Sequence, residues 1–265
     1  MHMADLHGRF VWYELTTTDM PAAAAFYAAV VGWGTRDASM PGLPYTVLTA
    51  GDAAVCGMMQ LPPGARQMGE RPMWLGYICV DDVDATADRI KRLGGAVHVP
   101  PQDVMDVSRF SIVSDPQMAT FALFKWRRPG QPPPVGIGTR GSIGWHELLA
   151  DNWEQAWTVY SELFGWQKTK AHVGAMGAYQ QFAAGGETIG GMMTKPATVP
   201  VSCWLYYFNV GDIDAAGKRV KDGGGQVLKG PAEALDGHWI VECADPQGAI
   251  FALIGHRGVG YFARV

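Results

Sequence analysis

The chain has 265 residues, a formal net charge of -4 and 48% hydrophobic residues, which is the composition of an ordinary globular protein with room for two domains. The charge balance and the lack of a long Lys/Arg run argue against a nucleic-acid or anionic-membrane surface. No apolar stretch is long enough to span a bilayer, and the opening MHMADLHGRF lacks the apolar core of a secretory signal, so we expect a cytoplasmic protein.

The first predicted element is a short strand in FVWYELTTTDM, which ends at Asp19, a residue type that caps helices well. Pro21 in the first turn favours a helix through FYAAVVGW, and Gly32 favours its end. Glycine-bearing turns then separate three short strands, predicted near 33–38, 44–50 and 53–60.

The same order begins again within the first half of the chain. WLGYICV predicts a strand, and DDVDATADRIKRLGG predicts a helix that buries Val83, Ala87 and Ile90 and ends at Gly94. Three more strands are predicted up to Trp126. The first half therefore contains strand-helix-strand-strand-strand twice.

The second half of the chain repeats the first. FYAAVVGW at 26–33 returns as VYSELFGW at 159–166, and SDPQMATFAL returns as ADPQGAIFAL. The segment 127–141 is rich in proline and glycine and is interpreted as a linker. We therefore predict two tandem domains, at 8–126 and 142–257, and four βαβββ modules in all.

The third predicted helix is the clearest of the repeats. Asn152 is its predicted cap and Gly165 its predicted end. Helical spacing favours a single buried face, made of Trp153, Trp157, Tyr160 and Phe164. The four cysteines fall in apolar strand-like runs without paired spacing, which favours buried free thiols over disulfides or zinc ligands: Cys56, Cys79, Cys203 and Cys243.

The motifs Asp-x6-Phe-Tyr-x4-Gly-Trp, Val-x-Asp-Val-Asp-Ala and Asp-Pro-x4-Phe-x-Leu, with the module order, resemble the vicinal oxygen chelate superfamily. This superfamily contains glyoxalase I, bleomycin-resistance proteins and extradiol dioxygenases. The chain is most similar to its two-domain actinobacterial members, described as 27 kDa antigens or hydroxylases. The resemblance implies an α+β fold of tandem glyoxalase-like domains, in which each pair of modules curls a mixed sheet into a cup with helices outside.

The resemblance also locates the metal-ligand positions of the superfamily in this chain. Metal-using members bind a divalent ion with His, Gln or Glu from the first, fourth, fifth and eighth strands of each cup. Neither half has such a side chain there, so we expect no metal and no other cofactor. The residues at these positions are Trp12, Gly57, Leu75 and Ala122, then Trp145, Gly191, Leu205 and Ala252.

Glu14 and Glu147 are the candidate catalytic residues. Strand alternation turns them into the cups if Trp12 and Trp145 point there. A carboxylate beside tryptophan in an apolar hollow suits a general base, while the alternative is a structural anchor with hydrogen-bonded neighbours. His146, between Trp145 and Glu147, is expected to pack on the opposite face.

Aromatic and methionine side chains on the cup strands favour a small-molecule pocket. The candidate ligand-binding residues are Trp12, Met59, Trp74, Tyr77, Trp145, Met193, Tyr207 and His238. Two functions stay open at this point. One is a metal-independent binder of a small metabolite or toxic compound, acting as a monomer or homodimer. The other is a glyoxalase-like lyase or a hydroxylase or dioxygenase that uses Glu14 and Glu147 or a non-standard metal site.

Overall fold

The structure is a computed structural model that describes residues 6–67, 69–128, 136, 138–174, 177–234 and 237–258. Each half of the chain contains two βαβββ modules, which we number 1 to 4. Module 1 is followed by a short helix, α2. The first half consists of β1 (Phe10–Thr17), α1 (Met20–Val30), β2 (Gly34–Asp37), β3 (Tyr45–Ala50), β4 (Ala53–Gln60), α2 (Pro63–Gln67), β5 (Met73–Cys79), α3 (Val83–Arg92), β6 (Ala96–Val104), β7 (Ser108–Ser114) and β8 (Thr120–Trp126).

Modules 3 and 4 repeat this order in the second half. Their elements are β9 (Ile143–Ala150), α4 (Trp153–Phe164), β10 (Gln167–Gly174), β11 (Gly177–Ala184), β12 (Glu187–Thr194), β13 (Cys203–Asp212), α5 (Ile213–Asp222), β14 (Gln226–Glu233), β15 (Trp239–Ala244) and β16 (Ile250–His256). None of the helices in the described part of the chain has the length and apolar character needed to cross a bilayer.

The strands form two eight-stranded mixed sheets, one from each half of the chain. The strand order is β2-β3-β4-β1-β5-β8-β7-β6 in one sheet and β10-β11-β12-β9-β13-β16-β15-β14 in the other. In every module the first strand runs parallel to the last, and the remaining pairs are antiparallel. The α+β fold of four βαβββ modules is thereby confirmed.

The helix ends follow the signals that the sequence contains. The Asp19 carboxylate accepts from the backbone N–H of Ala22 at 3.0 Å, and the Asn152 side chain accepts from Gln155 at 2.9 Å. Each contact satisfies one of the backbone donors that a helix start leaves open. Gly165 ends α4 with a φ of 66°, a left-handed conformation that glycine adopts without strain.

The buried face of α4 differs from the predicted one. Tyr160 and Phe164 are buried as expected, but Ala156 and Leu163 complete the face. Trp153 and Trp157 are only half-buried, and the ammonium group of Lys168 lies 5.0 and 5.2 Å from their ring centroids. Cation-π contact therefore gives these two indoles a partner at the surface, which hydrophobic spacing alone does not predict.

The chain divides into two compact units, and each combines residues from both halves of the sequence. The first unit holds the described residues within 1–12, 75–134 and 145–205, and the second holds those within 13–74, 135–144 and 206–265. The domain boundaries predicted from the repeat, 8–126 and 142–257, stay a prediction. Most of the predicted linker, at 129–135 and 137, lies outside the described residues.

Tyr27 of α1 lies at the centre of the second unit. Its ring is fully buried and packs edge-on against Trp74 and Phe251, at centroid distances of 5.3 and 5.4 Å. Its hydroxyl donates to Oδ2 of Asp245 at 3.1 Å and accepts from Nε1 of Trp74 at 2.9 Å. Because Asp245 begins the Asp-Pro turn before β16, the helix of module 1 is joined to module 4.

The first unit repeats this arrangement with the other two modules. The buried hydroxyl of Tyr160 in α4 donates to Oδ2 of Asp115 at 3.1 Å and accepts from Nε1 of Trp204 at 3.1 Å. Burial raises the pKa of both aspartates, Asp115 and Asp245. The tyrosine of the repeated octet and the aspartate of the repeated Asp-Pro turn are therefore hydrogen-bonded partners, which explains why both recur.

The cysteines are free thiols, as the sequence predicts. Three are buried and Cys203 is half-buried. Burial raises the pKa of the Cys79 thiol to about 11 and that of Cys243 to about 12, so both stay protonated and unreactive near neutral pH.

Candidate functional site

Glu14 lies on the same face of module 1 as Gly57, the residue at the fourth-strand metal-ligand position of the superfamily. In the parallel pair β1-β4, Glu14 lies opposite Gly57, and in the antiparallel pair β3-β4, Val47 lies opposite Gly57 and Tyr45 opposite Met59. Residues that pair directly share a face, and so do residues two apart on one strand. This face of the second unit therefore presents Glu14, Tyr45, Val47 and Met59 around a glycine.

The side chain of Tyr45 occupies the space above Gly57. Its hydroxyl donates to Oε2 of Glu14 at 2.9 Å. A Cβ atom at Gly57 would lie 1.8 Å from the Tyr45 hydroxyl oxygen and 2.3 Å from Cζ, far inside van der Waals contact. Any side chain at position 57 would displace the tyrosine, so the glycine is what allows the Tyr45–Glu14 pair to form.

Module 3 contains the same arrangement in the first unit. Glu147 lies opposite Gly191, and Tyr179 lies opposite Met193. The Tyr179 hydroxyl accepts from Nε1 of Trp145 at 2.8 Å and is hydrogen-bonded to Glu147. A Cβ atom at Gly191 would lie 2.4 Å from the tyrosine ring and hydroxyl. We call Tyr45–Glu14 and Tyr179–Glu147 the tyrosine–glutamate pairs.

Electrostatics keep the tyrosine of the second pair protonated. Burial raises the pKa of Tyr179 well above its ordinary value, and the nearby Glu147 carboxylate raises it further. Tyr179 therefore remains a hydrogen-bond donor to Glu147, which is itself only 9% exposed. A buried carboxylate without such a donor would carry a large desolvation cost.

The residues at the superfamily metal positions do not fit a divalent ion. Within the part of the chain that the structure describes, no three His, Cys, Asp or Glu side chains are grouped so as to hold a metal. Two of the positions are glycines covered by Tyr45 and Tyr179, so a glutamate there would also require the tyrosine to leave. A divalent ion needs several nitrogen or oxygen ligands, and the remaining positions supply none: Trp12, Leu75, Ala122, Trp145, Leu205 and Ala252.

Two of the predicted ligand-binding residues lie in an apolar cluster of the first unit. Tyr77 is 6% exposed and packs with Phe124 and Phe110, at centroid distances of 5.9 and 6.3 Å. Trp12 is half-buried and packs against the same cluster, which also includes Leu75. Apolar side chains from β1 and from module 2 therefore pack together on this face of β5.

The other predicted residues have separate positions. Met59 and Met193 lie beside the tyrosine–glutamate pairs as the direct partners of Tyr45 and Tyr179. Tyr207 is 3% exposed opposite Ala252 on β16. His238 is half-buried directly before β15, with its ring centroid 4.9 Å from that of His256.

Trp74 lies in different surroundings from the other predicted ligand-binding residues. Strand alternation turns it to the face of β5 opposite Leu75 and Tyr77. Its indole packs against Trp33 and Phe208, at centroid distances of 5.9 and 5.0 Å, and donates to Tyr27. Trp74 therefore belongs to the core of the second unit, and we leave it out of the proposed site.

His146 packs away from Glu147, as predicted. It is 3% exposed, stacks on Phe10 at a centroid distance of 4.0 Å, and donates through Nδ1 to the carbonyl of Ile189 at 2.5 Å. Burial lowers its pKa to about 4. The neutral ring is thus a structural group.

Sequence reasoning did not identify the tyrosine–glutamate pairs. Tyr45 and Tyr179 were recognisable only as aromatic residues of cup strands, because their contact with glutamate depends on strand register. The recurrence of a tyrosine opposite a fourth-strand glycine in both copies was the available signal. Two polar residues near Tyr179, His172 and Gln181, were also missed because the other copy has no equivalent side chains.

The model of the Glyoxalase/Bleomycin resistance protein/Dioxygenase superfamily matches this chain twice, at residues 9–123 and 142–253. The chain therefore belongs to this superfamily, as the tandem βαβββ modules indicate. A protein described as "Putative glyoxylase CFP32", from Mycobacterium tuberculosis, is 35% identical over 245 residues, which cover 92% of this chain and 93% of the relative. "Anthracycline biosynthesis protein DnrV" of Streptomyces peucetius is 30% identical over 263 residues and 94% of each chain.

Solved structures with the same fold include a metal-bound glyoxalase and a ring-cleaving dioxygenase. The Mn(II)-bound glyoxalase from Novosphingobium aromaticivorans superposes with a TM-score of 0.62 at 15% identity, covering 96% of this chain and 83% of that one. An extradiol ring-cleaving dioxygenase from B. fuscum superposes with a TM-score of 0.65 at 12% identity, covering 97% and 74%. These likenesses show a shared fold.

Proposed function

We propose that this protein is a metal-independent small-molecule-binding member of its superfamily, with its ligand sites at the faces that contain the tyrosine–glutamate pairs. One observation carries the proposal. In both pairs a tyrosine covers the fourth-strand glycine and hydrogen-bonds to the first-strand glutamate. The tyrosine side chain therefore occupies the space that a metal-binding side chain at the fourth-strand position would need.

The chemistry of the two faces favours an aromatic or otherwise apolar small molecule. Met59 and Met193 lie beside the pairs, and the Trp145 indole lies against Tyr179. Aromatic and thioether side chains with a few fixed polar groups are the usual lining of small-molecule sites. The relative named for anthracycline biosynthesis is consistent with a planar aromatic ligand. We propose further that the protein acts in the cytoplasm as a monomer or homodimer, with neither nucleic acid nor membrane as a partner.

Thermal unfolding of the protein, purified without a histidine tag, tests this function. Planar aromatic probes such as 1-naphthol should raise the melting temperature in a saturable way, because a ligand that binds the native state stabilises it by mass action. Mn²⁺, Zn²⁺ and Ni²⁺ should not, and elemental analysis should find well under one metal per chain. Stoichiometric metal that depends on Glu14 or Glu147 would overturn the proposal.

The second candidate function is a glyoxalase-like lyase or a dioxygenase-like enzyme. The relatives named as a glyoxylase favour it, and so does the position of Glu147, buried beside two aromatic hydrogen-bonding groups. In this case Glu14 or Glu147 serves as the general base. Replacing each glutamate by glutamine keeps the hydrogen-bond acceptor for tyrosine and removes the base. Turnover that is lost in Glu147→Gln while aromatic binding persists would support the enzyme.

A further inference from the structure

The two faces with tyrosine–glutamate pairs differ in two positions next to the tyrosine. On β10, His172 pairs directly with Tyr179, and on β11, Gln181 lies two residues from Tyr179 and opposite Gly191. All three side chains therefore share the face of Glu147. In module 1 the equivalent positions hold Ala38, whose backbone N–H donates to the carbonyl of Tyr45, and Val47.

The two polar side chains beside Tyr179 on this face of module 3 are those of His172 and Gln181. Nε2 of His172 is buried and has no hydrogen-bond partner among the described residues. Gln181, on the same face, is 6% exposed. A buried polar atom without a partner costs free energy, so Nε2 of His172 indicates a partner that comes from outside the chain, and the Gln181 side chain lies on the same face.

The neighbouring groups narrow the chemistry of that partner. The Tyr179 hydroxyl is engaged by Trp145 and Glu147, so it does not compete for the same ligand atoms. The Glu147 carboxylate disfavours an anionic group beside it. A glutamine amide donates and accepts, and an imidazole nitrogen donates or accepts according to the tautomer. A neutral hydroxyl or carbonyl oxygen matches these groups.

Resting on the proposed function, we infer that His172 and Gln181 form a polar subsite in module 3 that binds a neutral hydroxyl or carbonyl group on an aromatic ligand. Module 1 has no such subsite, so the two faces select different ligands or bind one ligand with different affinity. We expect a modest preference for such a ligand, since a ligand that lacks the oxygen leaves Nε2 of His172 buried and unpaired.

A matched pair of probes tests the subsite: 1-naphthol and naphthalene, which differ by one hydroxyl. Quenching of tryptophan fluorescence measures the affinity of each probe. Gln181→Val and His172→Ala introduce the residues found in module 1. Each should weaken 1-naphthol binding roughly fivefold to tenfold, the loss expected for one hydrogen bond, and leave naphthalene binding unchanged. Val173→Ala, at the neighbouring and 86% exposed position of β10, is the control and should change neither.

The possible outcomes separate the subsite from the proposed function. Retained naphthalene binding also verifies that each variant is folded. If both probes bind and neither substitution changes the preference for 1-naphthol, the subsite is wrong and the binding function stands. If the unaltered protein binds neither probe in a saturable way, the proposed function fails together with the subsite.

Discussion

The hydroxyl of Tyr27 lies 3.1 Å from the Asp245 carboxylate, and Tyr160 stands in the same relation to Asp115 at the same distance. Each of these hydrogen bonds joins a helix of one repeat to an Asp-Pro turn of the other. Each aspartate also accepts from two backbone N–H groups of its own turn, at 2.8 to 2.9 Å. The bond therefore connects two local structures that are far apart in sequence.

We expect Tyr27→Phe to lower the free energy of unfolding by about 1 to 3 kcal/mol. The substitution removes the buried partner of the Asp245 carboxylate and of the Trp74 indole N–H. Urea unfolding followed by fluorescence measures the change, and Tyr160→Phe should match it. Adding Asp245→Asn to Tyr27→Phe should recover part of the loss, because the buried carboxylate that lost its hydroxyl donor is then replaced by a neutral amide. A change below about 0.5 kcal/mol in both tyrosine variants would contradict this role.

His146 should make the protein less stable as the pH falls from about 6.5 to about 4. Its folded pKa is lowered to about 4, from an ordinary value of 6.5, so the unfolded chain binds the proton first. This contribution to stability is complete above pH 6.5 and is lost on acidification, by about 3 kcal/mol at most. Urea titrations between pH 7 and pH 4.5 measure it. His146→Asn should flatten this dependence, and an undiminished loss of stability on acidification in that variant would contradict the assignment.

Gly57→Ala should destabilise the protein by about 1 to 3 kcal/mol, because the added Cβ meets the Tyr45 hydroxyl at 1.8 Å and drives the ring off Glu14. The cost should fall below about 0.5 kcal/mol when Tyr45→Ala is already present. A double-mutant cycle by urea unfolding measures this coupling. Gly191→Ala with Tyr179→Ala is the matched pair in module 3. Additive costs in both cycles would mean that the glycines serve another purpose.

Two helix glycines should respond to alanine in opposite directions. Gly217 lies inside α5 with nothing within 4 Å of an added Cβ, so Gly217→Ala should stabilise the protein by about 0.5 to 1 kcal/mol. Gly165 ends α4 with a left-handed φ of 66°, so Gly165→Ala should destabilise it by about 1 kcal/mol. Thermal unfolding of both variants checks the signs, and equal signs would contradict the helix-end assignment.

The fold was predictable because its signals are local and occur twice. Asp19 and Asn152 as caps, Gly165 as an end, and the buried Val83, Ala87 and Ile90 all follow from short-range sequence patterns. The surface position of Trp153 was not predictable, because it depends on contact with Lys168, which belongs to another element.

The candidate site was predictable only in part. Strand alternation placed Glu14 and Glu147 on the faces of Met59 and Met193. The hydrogen bonds of both glutamates to tyrosines were not predictable from the sequence. They depend on the register of a neighbouring hairpin and on a glycine whose missing side chain leaves space for the tyrosine ring. Trp74 packs in the core of the second unit, and strand alternation from Leu75 already places it on the face of β5 opposite Tyr77.

The bond between Tyr27 and Asp245 also limits how the two repeats can diverge in evolution. Replacing the tyrosine in one copy removes a hydrogen bond of the aspartate in the other copy, so the two positions are constrained together. A deletion of either repeat would leave one residue of each tyrosine–aspartate pair without its partner. By contrast, the positions of His172 and Gln181 hold different residues in module 1, so a substitution at either one leaves both of these tyrosine–aspartate bonds intact.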